Sequence, residues 1–328
     1  MPRRTPTLRH RLEYGLFRAV EAALRPMPWR TVQALGRALG LVAHGVDARH
    51  RRVVRENLRR SDLGLSEVEV RSLARECFAH FGSMLLATVP MLHLEADEIR
   101  RRVKLEGLEH WGAAAAEGKG FIVLTGHYGN WEATALGLSL SGRSFSVVGR
   151  ELDNPLLEPH LRALRSRFGN RVIPKAGAMR ETLKAFRKGE GVGFLIDQDA
   201  LSRGIFVKFL GRWASTHAAA ATLAVRYGVP VLPLFSTPQP DGTVIVRIHP
   251  PFHAEASGDT ERDVWIATQR MSDWIDATIR QDPRWWFWMH RRFKTQPCEG
   301  KPSLPSLPPP EWQTAVPAFP TGAVPRHR

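Results

Sequence analysis

Apolar residues follow two different patterns along the chain. Up to about residue 100 they recur at helical spacing, and Ser66 with Glu69 forms a capping-box sequence that predicts a helix continuing through Leu85. From Val103 onward, short apolar runs alternate with helix-like stretches. The predicted strands are 121–125, 145–148, 193–196, 229–235 and 243–248, and the predicted helices are 132–140, 155–168, 179–188, 217–227 and 262–280. This alternation predicts an α/β fold in which helices cover the faces of a sheet.

These patterns divide the chain into three parts. Residues 1–100 are the helical N-terminal portion and residues 101–300 the α/β core. The tail, 301–328, is rich in proline and has no apolar period, so it is predicted to be disordered.

The predicted first helix is basic and amphipathic. Its apolar face consists of Leu12, Leu16, Phe17, Val20, Ala23 and Leu24, and arginines flank that face. Such a helix can lie in a membrane interface, or it can pack on the core of its own protein. Arg18 and Glu21 interrupt any apolar signal-peptide region, and no run of about 18 apolar residues predicts a membrane-spanning helix.

The net charge of the chain indicates an anionic partner. The 328 residues include 47 Lys and Arg against 32 Asp and Glu, a net charge of +15. Nucleic acid, an anionic bilayer and an acidic protein would each suit this charge. No helix-turn-helix, zinc-finger or RNA-recognition signature is present, so we expect no nucleic-acid partner. Two cysteines, Cys77 and Cys298, are too few for a disulfide scaffold or a cysteine-ligated zinc site.

The clearest chemical motif is TGHYGNWE, from Thr125 to Glu132. The predicted strand ends at Thr125, two glycines bend the chain, and a helix is predicted to begin near Asn130. Residues five apart in one helix diverge by about 140°, but the glycines allow His127 to fold back towards Glu132. A carboxylate that holds an imidazole through one nitrogen leaves the other to act as a general base on a hydroxyl.

The spacing of this pair is not specific in isolation. The 13 histidines of the chain produce about one His-x4-acid pair by chance. A second pair does occur at His93 and Glu98, without the preceding strand or the glycines, and we interpret it as coincidental. On the motif alone, a structural histidine in a loop stays an alternative.

Residues 126–132 resemble the His-x4-Glu block of the bacterial lipid A biosynthesis acyltransferases, which include lauroyl- and myristoyltransferases. Other segments resemble further blocks of that family in the same order along the chain. They are 51–58 with 65–69, 148–155, 195–199, 204–211 with Thr216, and 285–294. The resemblance covers roughly residues 10–295.

The resemblance implies a glycerol-3-phosphate-acyltransferase-like mixed sheet, flanked by helices and preceded by a helical N-terminal portion. It implies transfer of a fatty acyl chain from acyl carrier protein to a hydroxyl of a lipid A precursor or a related glycolipid, without a cofactor. His127 would take the proton of the hydroxyl, and Glu132 would orient and charge-stabilise His127. Family members that acylate mycobacterial mannosides share the His-x4-acid block, so the block does not fix the acceptor.

Four further residues are candidates for substrate binding. Arg150 and Asn154 lie in the segment that resembles the arginine block of the family, and a guanidinium suits a phosphate or a developing oxyanion. A structural ion pair is the alternative for Arg150. Asp197 and Asp199 follow an apolar strand and could shape the acceptor pocket. Because no third ligand is evident beside these two acids, we expect no metal.

The charge of the chain suits the partners that the resemblance implies. Acyl carrier protein, the cytoplasmic face of the inner membrane and the lipid A phosphates are all anionic. We therefore expect peripheral or monotopic attachment to that face of the cell inner membrane. The alternative from a different class is a non-catalytic, basic protein that binds membrane lipids. We interpret the aromatic segment Trp285–Trp288 as core rather than as an interfacial belt.

Overall fold

Helices form the N-terminal part of the protein, as the apolar spacing predicted. The computed structural model describes residues 5–143, 145–149, 152–174, 177–298 and 305–319. The first helices are α1 (Leu8–Leu24), α2 (Trp29–Val46), α3 (Ala48–Arg60), α4 (Glu67–Met91) and α5 (Ala96–Arg102). The Ser66 hydroxyl accepts from the Glu69 backbone N–H, and the Glu69 carboxylate accepts from the Ser66 N–H, which confirms the capping box of α4.

Strands and helices alternate after α5. The strands are β1 (Val103–Glu106), β2 (Phe121–Thr125), β3 (Phe145–Gly149), β4 (Arg171–Pro174), β5 (Gly191–Leu195), β6 (Ile205–Phe209), β7 (Arg212–Thr216), β8 (Val231–Pro238) and β9 (Val244–Ile248). The helices are α6 (Leu108–Ala116), α7 (Trp131–Leu140), α8 (Glu158–Ser166), α9 (Ala178–Phe186), α10 (Ala219–Tyr227), α11 (Thr260–Gln281) and α12 (Pro310–Thr314). All five predicted strands are confirmed, with bounds shifted by up to three residues.

Seven of these strands form one mixed sheet in the order β1-β9-β8-β2-β5-β3-β4. β8, β2, β5, β3 and β4 run parallel, whereas β9 is antiparallel to β8 and parallel to β1. β6 and β7 form a separate antiparallel hairpin. Residues Phe121 to Leu124 of β2 are buried whichever way their side chains point, because both faces of the central strands are covered. The predicted α/β class is confirmed in this form.

Part of the tail is packed rather than disordered. Over 305–319 the structure differs from the expectation, since α12 lies against α11 with the Trp312 ring 6.3 Å from that of Trp265. The Phe319 ring lies 4.9 Å from that of Trp274. These two aromatic residues give the proline-rich segment an apolar surface to bury.

The aromatic segment before the tail belongs to the core, as predicted. The side chains of Trp286 and Trp288 are fully buried, with their rings 4.6 Å apart and nearly perpendicular. The Trp288 indole N–H donates to the Pro283 carbonyl over 2.7 Å. This segment passes directly behind the carboxyl ends of β2 and β5, where the candidate site lies.

Candidate active site

The register of two parallel strands places His127 beside Asp197. Thr125, the last residue of β2, pairs with Leu195, the last residue of β5. Two residues further along each chain stand His127 and Asp197, whose side chains meet at 2.8 Å between Nδ1 and Oδ1. The His127 backbone N–H also donates to Asp197 Oδ2, over 2.7 Å. The pair therefore lies at the carboxyl edge of the sheet, where open α/β sheets place their ligands.

Asp197 is held as a buried carboxylate. Burial alone would raise its pKa, but the charge of His127 and hydrogen bonds from His127 and Trp286 outweigh burial and lower the pKa to about 2. The Trp286 indole N–H donates to Oδ2 over 2.8 Å. Because an ionised carboxylate only accepts, the Nδ1 of a neutral His127 imidazole carries the proton. Nε2 then keeps its lone pair, which is the form that a general base requires.

Two glycines shape the loop that carries His127. A Cβ on Gly126 would stand 3.0 Å from Asp197 Oδ2, so the absence of a side chain lets the carboxylate reach the His127 backbone. Gly129 has φ +62°, and a Cβ there would lie 1.9 Å from the Ser236 carbonyl oxygen. The Gly129 carbonyl accepts a hydrogen bond from His80 Nε2 of α4 over 3.0 Å. The loop is thus fixed from both the sheet and the N-terminal helices.

Glu132 has a different partner from the one that the sequence predicted. Its carboxylate accepts from Arg165 of α8, through Nε at 3.1 Å to both oxygens and through a terminal nitrogen at 2.5 Å. The ion pair raises the pKa of Arg165 although burial acts in the opposite direction. The carboxylate that bonds to His127 is that of Asp197, because the loop projects His127 towards β5 rather than towards α7. The catalytic assignment of Glu132 stays a prediction.

A mostly apolar pocket of about 270 Å³ adjoins these groups. His127, Glu132, Arg165 and Gln198 form its polar end. The apolar lining comes from the sheet, from α7 and α8, and from Leu152 in the connection between β3 and α8. The residues of the sheet and the two helices are Val123, Ala135, Phe145, Val147, Val148, Leu161, Leu195 and Leu234. The Gln198 amide nitrogen lies 3.5 Å from His127 Nε2. A base with an unprotonated nitrogen beside an apolar cavity can deprotonate a hydroxyl that adjoins a long apolar substrate group.

The other predicted substrate-binding residues are engaged in contacts within the chain or lie outside the described residues. Asn154 Nδ2 donates to the His10 carbonyl over 3.1 Å and to Glu13 Oε2 over 2.8 Å, which ties it to α1. The Asp199 carboxylate accepts from Leu201 and Thr295. Arg150 lies outside the described residues. Substrate binding by these residues stays a prediction.

Sequence reasoning missed three contributors to the site. Arg165 is one of two arginines on α8, and nothing in the sequence distinguishes it from a residue on a solvated helix face. Trp286 and Gln198 lie in segments that resemble the family, without a sequence signal for contact with Asp197 or His127. Asp197 was found, but as an acceptor-binding residue. The sequence signal that they share is that each follows the carboxyl end of a predicted strand, His127 after 121–125 and Asp197 after 193–196.

The second His-x4-acid pair does not assemble a comparable site. His93 Nε2 bonds to Glu21 Oε1 of α1 over 2.8 Å, and Glu98 bonds to Arg102 on its own helix. Among the described residues, no group of three or more His, Cys, Asp or Glu side chains could hold a metal ion. None of the described helices has both the length and the apolar character needed to cross a bilayer.

Comparison with known proteins identifies the family of this chain. Residues 1–295 match the family described as bacterial lipid A biosynthesis acyltransferase. The lipid A biosynthesis lauroyltransferase of Escherichia coli (strain K12) is 28% identical over 285 residues, which cover 84% of this chain and 89% of that protein. The lipid A biosynthesis palmitoleoyltransferase of the same strain is 24% identical over 301 residues, 85% of this chain and 89% of that protein. A phosphatidylinositol mannoside acyltransferase of Mycolicibacterium smegmatis is 23% identical over 268 residues, 79% of this chain and 86% of that protein. With a family match that runs from the first helix through the segment behind Asp197, this chain belongs to the bacterial lipid A biosynthesis acyltransferases.

Proposed function

We propose that this protein transfers a fatty acyl chain from acyl carrier protein to a hydroxyl of a lipid A precursor or a related glycolipid, with His127 as the general base. The observation that carries this proposal is the His127–Asp197 pair at the polar end of an apolar pocket. The sheet and its helices suit the glycerol-3-phosphate-acyltransferase-like label, which we propose with the function. The reaction requires neither a metal nor a cofactor.

The proposed reaction transfers one proton and one acyl group. His127 Nε2 takes the proton of the acceptor hydroxyl while its oxygen attacks the thioester carbonyl of the donor. The resulting tetrahedral oxyanion collapses, the C–S bond breaks, and the leaving thiolate of the carrier takes the proton from His127. Asp197 remains ionised throughout and stabilises the imidazolium, because the hydrogen bonds that it accepts favour its charged form.

Glu132 acts through Arg165 in this mechanism. The ion pair fixes the guanidinium beside the pocket, within reach of a phosphate on the acceptor or of charge that develops on the thioester oxygen. Because the Glu132 carboxylate bonds to two nitrogens of the planar Arg165 guanidinium, few orientations of that group remain. The guanidinium is therefore already oriented before substrate binds. The apolar lining then holds the acyl chain, with about 0.8 kcal/mol gained for each buried methylene.

Exposed apolar residues support attachment to the anionic cytoplasmic face of the inner membrane. Leu8, Leu12 and Leu16 of α1 are 74%, 67% and 68% exposed, whereas Leu24 at the other end of α1 is buried. The helix therefore packs on the protein through one part of its apolar face and presents another part outward. On α2 the exposed apolar residues recur at helical spacing: Leu35, Leu39, Val42 and Val46. With basic side chains beside them, these two stripes suit the interface of an anionic bilayer.

The contact of Asn154 with α1 connects this surface to the pocket. Asn154 follows β3 and stands two residues after Leu152, which lines the pocket. Its hydrogen bonds to His10 and Glu13 tie α1 to the segment that carries Leu152, and this supports a route from the proposed membrane helix to the pocket. A lipid-borne acceptor could then reach His127 from the membrane.

The experiment that tests the function measures transfer of a labelled acyl group from acyl carrier protein to a tetra-acylated, Kdo-bearing lipid A precursor. Wild type is compared with His127→Ala and with His253→Ala, a control that removes a surface histidine bonded to Glu117. We expect activity in wild type and in the control, and loss in His127→Ala. His127-dependent thioester hydrolysis without transfer would keep the chemistry and reject the acceptor. If folded wild type does neither, the catalytic proposal is wrong and the lipid-binding alternative replaces it.

A further inference from the structure

A buried cation lies behind the His127–Asp197 pair. The Arg292 side chain is 0% exposed, and it donates to the Ser215 carbonyl over 2.5 Å, the Gln198 carbonyl over 3.1 Å and Thr216 Oγ1 over 2.6 Å. Its guanidinium also stands 4.8 Å over the Phe209 ring. All three hydrogen-bond acceptors are neutral oxygens, so none of them supplies a full compensating charge.

Taking a guanidinium out of water without a bonded carboxylate is costly, and other charges must offset part of that cost. Burial lowers the pKa of Arg292 to about 10, while Asp197 and Asp199 act to raise it. Arg292 therefore stays protonated at neutral pH. Its positive charge favours the ionised form of Asp197, the carboxylate that is bonded to His127.

The same segment of chain fastens each residue of the Asp197–Asp199 turn. Trp286 donates to the Asp197 carboxylate and Arg292 to the Gln198 carbonyl. The Asp199 backbone N–H donates to His290 Nε2 over 2.8 Å, so His290 accepts there and is neutral. Burial and the charge of Arg292 both lower the pKa of His290. Of these fastening side chains, Arg292 is the one that adds a charge.

We propose that Arg292 is a positioning residue for the acyl-transfer reaction. Its guanidinium holds the Gln198 carbonyl, and with it the turn that aims Asp197 at His127. Its charge lies behind that pair, where it favours the ionised carboxylate and opposes protonation of the imidazole. The inference rests on the proposed function and adds to it a residue that touches neither substrate nor His127.

Several charged or titratable groups surround His127. They are Asp197 just after β5, the Glu132–Arg165 pair of α7 and α8 across the pocket, His80 of α4 behind Gly129, and Asp199, His290 and Arg292 behind the turn. Arg165 and Arg292 are the cations of this set. Removing either one should make His127 easier to protonate, but Arg165 lies on the substrate side and Arg292 does not.

The test measures the pH dependence of kcat and kcat/KM for acyl transfer in wild type, Arg292→Lys, Arg292→Gln and Arg292→Met. Arg292→Lys keeps the charge, Arg292→Gln keeps amide donors for the carbonyls, and Arg292→Met keeps neither. Arg60→Gln is the matched control, because Arg60 donates to the Phe293 carbonyl of the same segment but away from the turn. Each variant is first shown to be folded by its thermal transition.

We expect Arg292→Met to lose about 100-fold in kcat, the lower end of what a positioned general base contributes. The KM for the donor should change little. The acid limb of the profile should move to higher pH in Arg292→Met and Arg292→Gln, and should stay in place in Arg292→Lys and in the control. If Arg292→Met does not fold, Arg292→Gln carries the same comparison.

Two results would overturn the inference while wild type remains active. The first is a folded Arg292→Gln or Arg292→Met variant that keeps the wild-type kcat and loses activity at the same low pH as wild type. The other is an equal loss in Arg292→Lys and Arg292→Gln with the acid limb unmoved, which would make Arg292 a packing residue. Inactive wild type would instead reject the proposed function itself.

Discussion

Glu132 and Arg165 form a two-pronged ion pair that joins the first turn of α7 to the last turn of α8 at the polar end of the pocket. Glu132 is buried and Arg165 largely so, which makes each the main compensation for the other's charge. The pair therefore contributes both to the stability of the fold and to the proposed catalysis, and substitutions can separate these two contributions.

The first prediction concerns this ion pair. Glu132→Gln leaves Arg165 with a weaker partner and should lower the free energy of unfolding by about 2–3 kcal/mol, somewhat less than for a fully buried pair. Arg165→Lys keeps the charge but loses the two-pronged geometry. We expect it to fold well and still lose at least about 10-fold in kcat. Urea unfolding and transfer assays on the same preparations measure both effects. Full activity in folded Arg165→Lys would show that the geometry of the guanidinium is not used.

The second prediction concerns Asp197→Asn. An amide can donate to His127 Nδ1, which would move the imidazole proton to Nε2 and remove the lone pair that the mechanism needs. We expect kcat to fall by about 10⁴-fold, as when the orienting carboxylate of a catalytic triad is replaced in the same way. Asp263→Asn is the matched control, because Asp263 is an equally buried carboxylate whose hydrogen-bond partners, Ser257 and Arg262, lie outside the pocket. Equal losses in the two variants would contradict the orienting role.

The third prediction is a pH dependence of stability that arises from His80. Burial lowers the pKa of His80 to about 4, although its hydrogen bond to the Gly129 carbonyl acts in the opposite direction. The unfolded chain therefore binds a proton on His80 at a higher pH than the folded protein does. Stability is complete above about pH 6.5 and falls as the pH is lowered towards 4, by about 3 kcal/mol in total from this group.

Urea unfolding at several pH values checks this effect. His80→Gln keeps a donor for the Gly129 carbonyl but does not titrate, so its stability should depend less steeply on pH in this range. The same slope in His80→Gln and wild type would assign the pH dependence to other groups.

The fourth prediction concerns the length of the acyl chain. Phe145 lines the pocket and packs edge-on against Trp111, with ring centroids 5.9 Å apart. Phe145→Leu should deepen the cavity and shift the preferred donor to a longer chain. A Cβ on Gly193 would come within 3.1 Å of the Phe145 ring. Gly193→Ala should therefore push the ring into the cavity and favour a shorter chain.

A series of acyl carrier protein donors of increasing chain length measures the preference. Phe206→Leu, at a fully buried phenylalanine of β6 outside the pocket, controls for loss of stability. If Phe145→Leu and Gly193→Ala shifted the preferred acyl-chain length in the same direction, the proposed position of the acyl chain in the pocket would be contradicted.

The fifth prediction concerns membrane binding. Leu12→Glu with Leu16→Glu on α1, or Leu39→Glu with Val42→Glu on α2, should reduce binding to vesicles that contain anionic lipid. Binding of wild type should also weaken as salt is raised, because salt screens the exposed basic groups. Val68→Glu changes an equally exposed apolar residue between two glutamates on α4 and serves as the control. Unchanged binding of both double variants would remove α1 and α2 from the membrane surface.

Local sequence patterns predicted the fold class and the five strands with the clearest apolar runs. Strand β2 was predicted residue for residue, since an uninterrupted apolar run followed by glycine has few other interpretations. Strands β1, β4, β6 and β7 were missed. Of these, β4 and β7 are short and begin with arginine, so neither has a clear apolar pattern. In these strands, pairing with a neighbour rather than local composition decides the conformation.

The site was predicted only in part, for a related reason. His127 stood out because its strand, glycines and helix are all local, and Glu132 was paired with it because the two are close in sequence. The partner that the fold supplies, Asp197, follows β5 and is 70 residues away, and strand order cannot be deduced from a single sequence. Arg165 and Arg292 likewise contact the site only through tertiary packing.

Because His127 and Asp197 extend two paired strands, the base is assembled by the hydrogen bonds of the sheet. Formation of α7 or of the N-terminal helices alone cannot bring the two side chains together, since their contact closes a loop of 70 residues. Contacts of such long sequence separation form slowly, after local structure. Recovery of catalysis during refolding should therefore follow the joining of β2 to β5 and lag behind the return of helical signal.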